Sequence, residues 1–285
     1  YNKVRTDYCV KKTHMFINKI SNSKFNVWKE CRLKYKYKYV DYFPEPDGDN
    51  TKALHFGSYI HQVLEDGVEA TTLEEMVRHS ENVKGNYKIH KDYEGKDIKC
   101  FENFLKFNSQ LGKSVGEELR YEVELSDGIL GNGIIDRVIA GEAGGLLVID
   151  YKTSKREKTK VDLYQDPQLM GYVFALSKMM NVPVEKITAA HYYPLTNNFV
   201  TVKYSKGQIA GYVRKTVSEV WRIRKSKKED LTPMRNQYCN WCQFKKACPQ
   251  FASPDEVCKE VESLKLLKEE KDQKRKAEKE TKSKK

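Results

Sequence analysis

The sequence predicts an α/β protein in which a mixed central β-sheet is flanked by helices. Three observations support this class: a pair of alternating segments joined by a turn, a strongly apolar strand followed by an amphipathic helix, and two further strands after that helix. Strands that are interrupted by a helix and then resume are typical of a mixed sheet that packs against helices. The predicted strand segments cover residues 121–125, 133–140, 146–153, 187–193 and 199–204.

The composition is that of a folded protein. Apolar residues make up 39% and charged residues 32% of the chain, yet 18 Tyr, 11 Phe and 3 Trp suffice for a core. Disordered chains lack such an aromatic content, and no apolar run reaches the roughly 20 residues that span a bilayer. The N-terminus has no signal-peptide pattern, so we expect an intracellular, cytoplasmic protein without a membrane partner.

The net charge is strongly positive, because 52 Lys and Arg stand against 40 Asp and Glu, which gives +12. The last 18 residues contribute +4 of this, so the body of the chain carries +8. A basic body favours a polyanionic partner such as nucleic acid, since contacts with phosphates release counterions. The alternative is a solvated basic surface without such a partner.

The N-terminal half is predicted to be mainly helical. Residues 1–20 form a leader, and the Ser- and Asn-containing residues 21–23 can cap a first helix. The stretch from Lys34 to Tyr39 alternates basic and aromatic residues, which fits either a helix or a strand. After a loop rich in proline and glycine, we assign the helical part to about residues 56–119.

The C-terminal half is predicted to hold the sheet and a cysteine-rich region. The core covers about residues 120–204, and its helix begins at the Asp-Pro pair 166–167, because Asp caps helices and Pro suits their first turn. A helix and the cysteine-rich region cover about residues 205–258, so one domain spans 21–258. Residues 259–285 are expected to form a charged helix and a flexible tail.

Two carboxylates and a lysine are predicted to meet at the end of the apolar strand. Asp150 and Lys152 lie two residues apart, so their side chains project from the same face of a strand. Asp136 belongs to the preceding strand, which a short loop makes a neighbour. Converging carboxylates suit Mg²⁺ or Mn²⁺, and a nearby lysine can orient a water and offset charge on a phosphate.

Four motifs resemble those of the PD-(D/E)xK nuclease superfamily, specifically of its RecB-like branch. Gly133 to Arg137 and Val148 to Ser154 resemble the strands that carry the D and D-x-K motifs. Gln168 to Tyr172 matches the Q-x-x-x-Y helix, and Gly57 to His61 matches the G-x-x-x-H helix. The resemblance covers residues 57–172 and implies a restriction-endonuclease-like core with a helical insertion.

The resemblance also implies a role for each motif residue. The divalent-ion ligands would be His61, Asp136, Asp150 and the backbone carbonyl of Tyr151. The catalytic set would be Asp136, Asp150, Lys152, Gln168 and Tyr172. Lys152 would position the attacking water, while Gln168 and Tyr172 would hold substrate or support the lysine. His191 lies outside any motif and is assigned a structural or surface position.

Seven cysteines without a secretory signal favour metal ligation over disulfides. Cys239, Cys242 and Cys248 form a C-x2-C-x5-C pattern, one short of the four ligands that zinc or an iron–sulfur cube uses. The resemblance to iron–sulfur members of the branch, the AddB-like and CRISPR-associated RecB-like nucleases, implies Cys31 as the fourth ligand of a [4Fe-4S] cluster. Arg32 follows Cys31 where those relatives often have proline. A zinc site with four thiolates is the alternative, and either site would staple the C-terminal region to the N-terminal part.

Basic side chains that interleave with aromatic rings between Lys24 and Tyr39 are predicted to contact DNA, and so are two basic clusters beside the motifs. The clusters are Lys155, Arg156 and Lys158 after the D-x-K strand, and Arg222 and Arg224 at a helix end. Basic side chains can follow a phosphate backbone, although a solvated surface is the alternative for each cluster. The Gly-Lys-Ser sequence at 112–114 lacks the glycine five residues earlier that a phosphate-binding loop needs. A helicase or recombination protein would therefore be a separate partner.

Together these expectations describe a metal-dependent deoxyribonuclease. The resemblance implies an exonuclease that hydrolyses phosphodiester bonds at single-stranded DNA ends, in recombination, repair, phage DNA metabolism or CRISPR adaptation. It also implies a bacterial, archaeal or phage origin. The alternative is a non-catalytic DNA-binding or scaffold subunit with a structural four-cysteine metal site, and a zinc-stabilised RNA-binding protein is a third interpretation.

Overall fold

In a computed structural model, which describes residues 17–46 and 52–283, the strands form a six-stranded mixed sheet. The strands are β1 (Lys19–Ile20), β2 (Ser114–Ser126), β3 (Ile129–Ala140), β4 (Leu146–Tyr151), β5 (Ile187–Tyr193) and β6 (Asn198–Lys203). Their order is β1-β3-β4-β5-β6, and β2 pairs with the other edge of β3. The β1–β3 and β4–β5 pairs are parallel and the remaining pairs are antiparallel. The predicted mixed α/β fold is therefore confirmed.

The sheet is open along part of β3. β2 pairs with one edge of β3 over nearly its whole length, so β1 and β4 share the opposite edge. On that edge β1 pairs with Leu130 and Gly131, while β4 pairs only from Arg137 onward. Within the described part of the chain, residues 132–136 consequently have no strand partner on that edge, and the end of β4 faces this opening.

Helices cover both faces of the sheet. They are α1 (Asn22–Glu30), α2 (Arg32–Tyr35), α3 (Lys52–Asp66), α4 (Leu73–Lys84), α5 (Lys96–Asn108), α6 (Lys160–Leu163), α7 (Pro167–Met179), α8 (Lys206–Lys225) and α9 (Pro254–Ser283). On β4, Val148 faces a core that includes α7, and Ile149 faces a core that includes α3, α4 and α5. This alternation is the strand period of two, and it places α3 and α7 on opposite sides of the same strand end.

Two segments of the N-terminal half differ from the sequence-based prediction. Lys19 and Ile20, assigned to a leader, form β1, while residues 1–16 lie outside the described part of the chain. Residues 114–119, assigned to the helical part, belong to β2, because they pair with β3. The helical part therefore ends at Asn108 with α5.

The alternating stretch 34–39 is helical, with a π-helical turn at Lys36–Val40. Tyr35 and Tyr37 would share one face of a strand, but they are buried in different places. The Tyr35 ring packs on Trp28 at 5.1 Å between centroids, and the Tyr37 ring packs on Phe244 at 5.5 Å. Packing of the two rings in separate cores thus favours the helix over the strand that the alternation also allowed.

The C-terminal helix begins earlier and continues further than predicted. α9 starts at Pro254, before the expected boundary at 258, and runs to Ser283. Ser253 caps it, since its hydroxyl accepts a hydrogen bond from the Glu256 amide and the Glu256 carboxylate accepts one from the Ser253 amide. Within the described ranges, no helix is both long and apolar enough to cross a membrane.

Candidate active site

The opening beside β3 brings two carboxylates together. Asp136 lies at the end of the β3 segment that has no strand partner on the β4 side, and Asp150 lies near the end of β4. The backbone amide of Tyr151 donates a hydrogen bond of 2.7 Å to Oδ2 of Asp136. Asp150 is 1% exposed, so the carboxylate pair occupies the inner wall of the opening.

A ring of polar contacts surrounds Asp150. Nζ of Lys152 lies 2.5 Å from Oδ2 of Asp150 and donates a hydrogen bond of 3.1 Å to Oε1 of Gln168. Nε2 of Gln168 donates to the Tyr172 hydroxyl at 2.7 Å, and that hydroxyl donates to Oδ1 of Asp150 at 3.4 Å. Gln168 and Tyr172 lie four residues apart on α7, so both reach the strand end from one helix face.

His61 approaches the same carboxylates from the opposite face of the sheet. It lies on α3, and its Nδ1 is 3.5 Å from Oδ2 of Asp136. One turn earlier, a Cβ atom at Gly57 would lie only 3.0 Å from Oγ1 of Thr153. A glycine at this position therefore lets α3 lie close to the end of β4. The structure thus brings together all the predicted ion ligands and catalytic side chains, whose roles remain predictions.

Burial and like charge control protonation in this site. Burial raises the pKa of Asp136 to about 8, and the nearby Asp150 carboxylate contributes to this rise. Burial lowers the pKa of Lys152, but the carboxylates of Asp150 and Asp136 outweigh it, so the net pKa is raised and the lysine is cationic at neutral pH. Burial also lowers the pKa of His61, which favours the neutral imidazole that can bind a metal ion.

The donor set fits a divalent ion, although the ion's position is not preformed. Among the described residues, no group of three or more His, Cys, Asp or Glu side chains is arranged to hold a metal ion. The chemistry of the side chains nevertheless fits one. Oδ2 of Asp150 is buried, with Nζ of Lys152 at 2.5 Å and Nε2 of His191 at 3.4 Å. Two carboxylates and a neutral imidazole beside this oxygen are suitable ligands for Mg²⁺ or Mn²⁺.

Two glutamates that sequence reasoning missed extend this site. Glu118 lies opposite Asp136 in the β2–β3 register, with a left-handed backbone at φ 42°. Burial raises the pKa of Glu65 to about 7, and the Glu118 carboxylate adds to this effect through charge and a hydrogen bond. Glu65 could have been found from its place four residues after His61 on α3. No local signal pointed to Glu118, because strand pairing alone sets its position.

A buried polar network lies beneath Asp150. His191 on β5 is fully buried, and its Nε2 lies 3.4 Å from Oδ2 of Asp150 and 3.7 Å from Oδ2 of Asp166. Asp166 caps α7 by accepting hydrogen bonds from the amides of Gln168 and Leu169. Sequence reasoning assigned His191 no function, but the structure places it between Asp150 and the capped end of the helix that carries Gln168.

The five predicted DNA-binding residues of the two basic clusters differ in their surroundings. Lys155 and Arg156 are exposed in the loop after β4, while Nζ of Lys158 lies 2.5 Å from Oδ2 of Asp166. NH1 of Arg222 lies 2.8 Å from Oε1 of Glu219. Nε of Arg224 donates to the carbonyl oxygen of Ile17 at 2.7 Å, and its guanidinium stacks on Trp221 at 4.7 Å. Their contacts with DNA remain a prediction.

Cys31, Cys239, Cys242 and Cys248 line one cavity at the C-terminal region. The amide of Met234 donates to Sγ of Cys31 at 3.4 Å, and the amide of Asn236 donates to Sγ of Cys239 at 3.2 Å. Burial raises the pKa of Cys242 and of Cys248, but a backbone amide opposes the shift at each sulfur. Each of the four sulfurs thus accepts a backbone N–H, an arrangement that stabilises negative charge on sulfur.

The raised pKa of Asp136 predicts how stability depends on pH. Without a metal ion, the contribution of Asp136 to the free energy of unfolding is expected to fall as pH rises from about 4, the ordinary pKa of Asp, to about 8, by at most about 1.4 kcal/mol per pH unit. Over this range the folded protein keeps the proton of Asp136, whose pKa is raised by burial to about 8, whereas the unfolded chain has lost it. Above about pH 8 Asp136 is deprotonated in both states, so its contribution to the slope should vanish.

Urea unfolding in EDTA at several pH values measures this slope. Asp136→Asn, which cannot titrate, is the matched variant and should flatten the profile between about pH 7 and about pH 8, above the range in which Glu65, whose pKa is raised to about 7, also contributes. If Asp136→Asn keeps the full slope, another group is responsible and the protonation assigned to Asp136 is wrong.

The family comparison covers the same residues. A family model described as the PD-(D/E)XK nuclease superfamily matches residues 19–249, which include every side chain of the opening described above. The match covers most of the chain and extends through the four cysteines.

The curated relatives that the chain resembles are each named as one subunit of an ATP-dependent helicase/deoxyribonuclease. The chain is 28% identical over 180 residues to such a protein from Streptococcus agalactiae serotype Ia, covering 56% of this chain and 16% of the relative. It is 21% identical over 235 residues to the protein of the same name from Streptococcus pyogenes serotype M1, covering 75% of this chain and 22% of the relative. The chain therefore spans less than a quarter of these relatives. A solved structure from Eubacterium rectale has a TM-score of 0.48 at 13% identity, covering 79% of this chain and 87% of that one.

Proposed function

The chain belongs to the PD-(D/E)XK nuclease superfamily, and we propose that it is a metal-dependent deoxyribonuclease that acts as an exonuclease on single-stranded ends. The observation that carries the proposal is the closed ring of Asp150, Lys152, Gln168 and Tyr172 beside Asp136. A lysine held between a carboxylate and an amide at an open strand edge is suited to phosphodiester hydrolysis.

His61, Asp136, Asp150 and the carbonyl of Tyr151 would hold Mg²⁺ or Mn²⁺, which would polarise the scissile phosphate and lower the pKa of an attacking water. The Lys152 ammonium, kept cationic by the adjacent carboxylates, can hold that water and offset charge that develops on the phosphate. Gln168 restrains the ammonium from the other side, and Tyr172 links Gln168 back to Asp150. The two α7 residues thus orient the lysine.

For the cysteine cavity we propose a structural [4Fe-4S] cluster bound by Cys31, Cys239, Cys242 and Cys248, with a zinc site as the alternative. Support comes from the four sulfurs around one cavity and from the backbone amides directed at them. Four cysteine thiolates are the usual ligand set of such a cluster. The cavity lies apart from Asp150, so the cluster would stabilise the fold rather than take part in hydrolysis.

The names of the relatives support DNA as the substrate and a helicase as a partner. The proposed reaction would serve the processing of DNA ends. The processes we include in the proposal are recombination, repair, phage DNA metabolism and CRISPR adaptation. A cytoplasmic location in a bacterial, archaeal or phage-infected cell is part of the same proposal. The alternative is a DNA-binding subunit without catalysis, which the intact ring around Asp150 disfavours.

The proposed function is tested with the purified chain and end-labelled DNA. We expect linear single-stranded DNA to be degraded with Mn²⁺ or Mg²⁺, circular single-stranded DNA to resist, and EDTA to abolish the reaction. Binding without cleavage of any substrate would instead support the non-catalytic alternative. Equal cleavage of circular and linear strands would replace the exonuclease assignment with an endonuclease.

A further inference from the structure

A further pocket lies where β1 meets the helical segment 35–40 and residues 41–42 that follow it. It has a volume of about 200 Å³, and its walls include Asn18, Lys24, Tyr35, Tyr39 and Tyr42. Pockets for small molecules usually measure about 300–1,000 Å³, so this one suits a single unit of a polymer. It is separate from the opening at Asp150 and shares no wall residue with it.

Two polar groups in this pocket form no ion pair or side-chain hydrogen bond within the described part of the chain. Lys24 is half-buried, and its Nζ lies 5.6 Å from the centre of the Tyr39 ring. It forms no ion pair there, and burial lowers its pKa without any opposing carboxylate. Tyr35 is 1% exposed, and its hydroxyl has no hydrogen-bond partner among the described groups. Burial raises the pKa of Tyr35, and the nearby Tyr39 and Tyr42 raise it further, so the hydroxyl remains a neutral donor. The buried hydroxyl is costly unless a ligand accepts its hydrogen bond, and the half-buried ammonium beside it lacks a countercharge.

Neighbouring carboxylates do not supply that anion. The Glu122 carboxylate is paired with Lys19 at 2.6 Å. Asp41 is held by Lys36 at 2.7 Å and by Lys228 at 2.6 Å. Among the described residues, no carboxylate therefore neutralises Lys24, and the Tyr39 ring beside its ammonium leaves room for an anionic ligand to do so.

The rim of the pocket carries an exposed aromatic ring. Tyr42 is 65% exposed, and its backbone is left-handed at φ 55°, a conformation that bulky residues rarely adopt. Nζ of Lys268 lies 5.7 Å from the centre of its ring. An exposed ring beside a cation is suited to stacking with a nucleobase.

We propose that this pocket binds one nucleotide of the DNA strand, with its phosphate at Lys24 and the Tyr35 hydroxyl and its base on Tyr42. The proposal rests on the proposed function, since it places a second strand contact outside the cleavage site. β1 pairs with Leu130 and Gly131, so the pocket lies about 20 Å along β3 from Asp136 at 3.3 Å per residue. At a stacked spacing of about 3.4 Å this corresponds to about six nucleotides.

The test compares Lys24→Gln with Lys29→Gln, a matched lysine on the same helix that does not line the pocket. Binding of a fluorescent 15-nucleotide strand is measured in EDTA, where no cleavage can occur. We expect Lys24→Gln to raise the dissociation constant about tenfold and to reduce the salt slope by about 0.7, with a smaller change in Lys29→Gln. Tyr42→Asn, which tolerates positive φ, should weaken binding about fivefold without changing the salt slope.

A length series distinguishes this pocket from the cleavage site. With Mn²⁺, Lys24→Gln should raise KM for the 15-nucleotide strand while leaving kcat unchanged, and it should not affect cleavage of a trinucleotide, which is too short to reach both sites. Equal binding by the Lys24 and Lys29 variants would overturn the pocket while leaving the nuclease assignment intact. Absence of cleavage by the unmodified chain, with the Lys24 effect on binding retained, would overturn only the nuclease assignment.

Discussion

Asp150→Asn and Lys152→Met are each expected to lower the rate of DNA cleavage by about 10³-fold or more, the size of loss typical when a charge-stabilising or proton-transfer group is removed. Asp150→Asn removes the charge that holds the Lys152 ammonium at 2.5 Å and keeps the shape of the side chain. Lys152→Met removes the cation that would face the developing phosphate charge. Initial rates on end-labelled single-stranded DNA with Mn²⁺ measure both effects.

Lys155→Met is the matched control for Lys152→Met, because Lys155 lies three residues further in an exposed loop. The cleavage rate of Lys155→Met should fall at most a few-fold, because this variant would only bind DNA more weakly. Asp150→Asn is preferred to Asp150→Ala because truncation would leave the buried Tyr172 hydroxyl and His191 Nε2 beside an empty space. Cleavage at full rate by both Asp150→Asn and Lys152→Met, with binding unchanged, would place the reaction elsewhere.

Cys31→Ala is expected to release the iron and to lower the melting temperature by about 10 °C. The proposed cluster would join Cys31 to cysteines about 200 residues further along the chain. In the cross-link model, closing so long a loop lowers the conformational entropy of the unfolded chain and stabilises the fold by about 5 kcal/mol. For a chain of this size that corresponds to about 10 °C or more. Iron content, visible absorbance and thermal unfolding of anaerobically purified protein measure the effect.

The best control is Cys258→Ala, since Cys258 is exposed on α9 and outside the cavity. Cys100 is less suitable because it is fully buried in the core of α3, α4 and α5, so its truncation costs packing energy of its own. If Cys31→Ala keeps its iron and its stability, another residue supplies the fourth ligand. Colourless protein with one zinc per chain would decide for the zinc alternative.

Local spacing determined much of the candidate site from the sequence. The interval between Asp150 and Lys152 fixed a shared strand face, and the interval between Gln168 and Tyr172 fixed a shared helix face. The cap at Asp166 and the strand Ile187–Tyr193 were also predicted correctly. In each case the pattern lies within one element, where covalent geometry sets which side chains are neighbours.

Only the tertiary structure decided which elements meet. Nothing near Glu118 or His191 in the sequence predicted that they lie beside Asp136 and Asp150, because strand pairings between distant segments put them there. Pairing with β3 likewise converted Lys19–Ile20 and residues 114–119 into strands, against their local composition. The opening in the sheet arises because β1 and β4 each cover only part of one edge of β3. Register between strands depends on burial over the whole sheet. The short sequence patterns that identified the motifs therefore could not predict it.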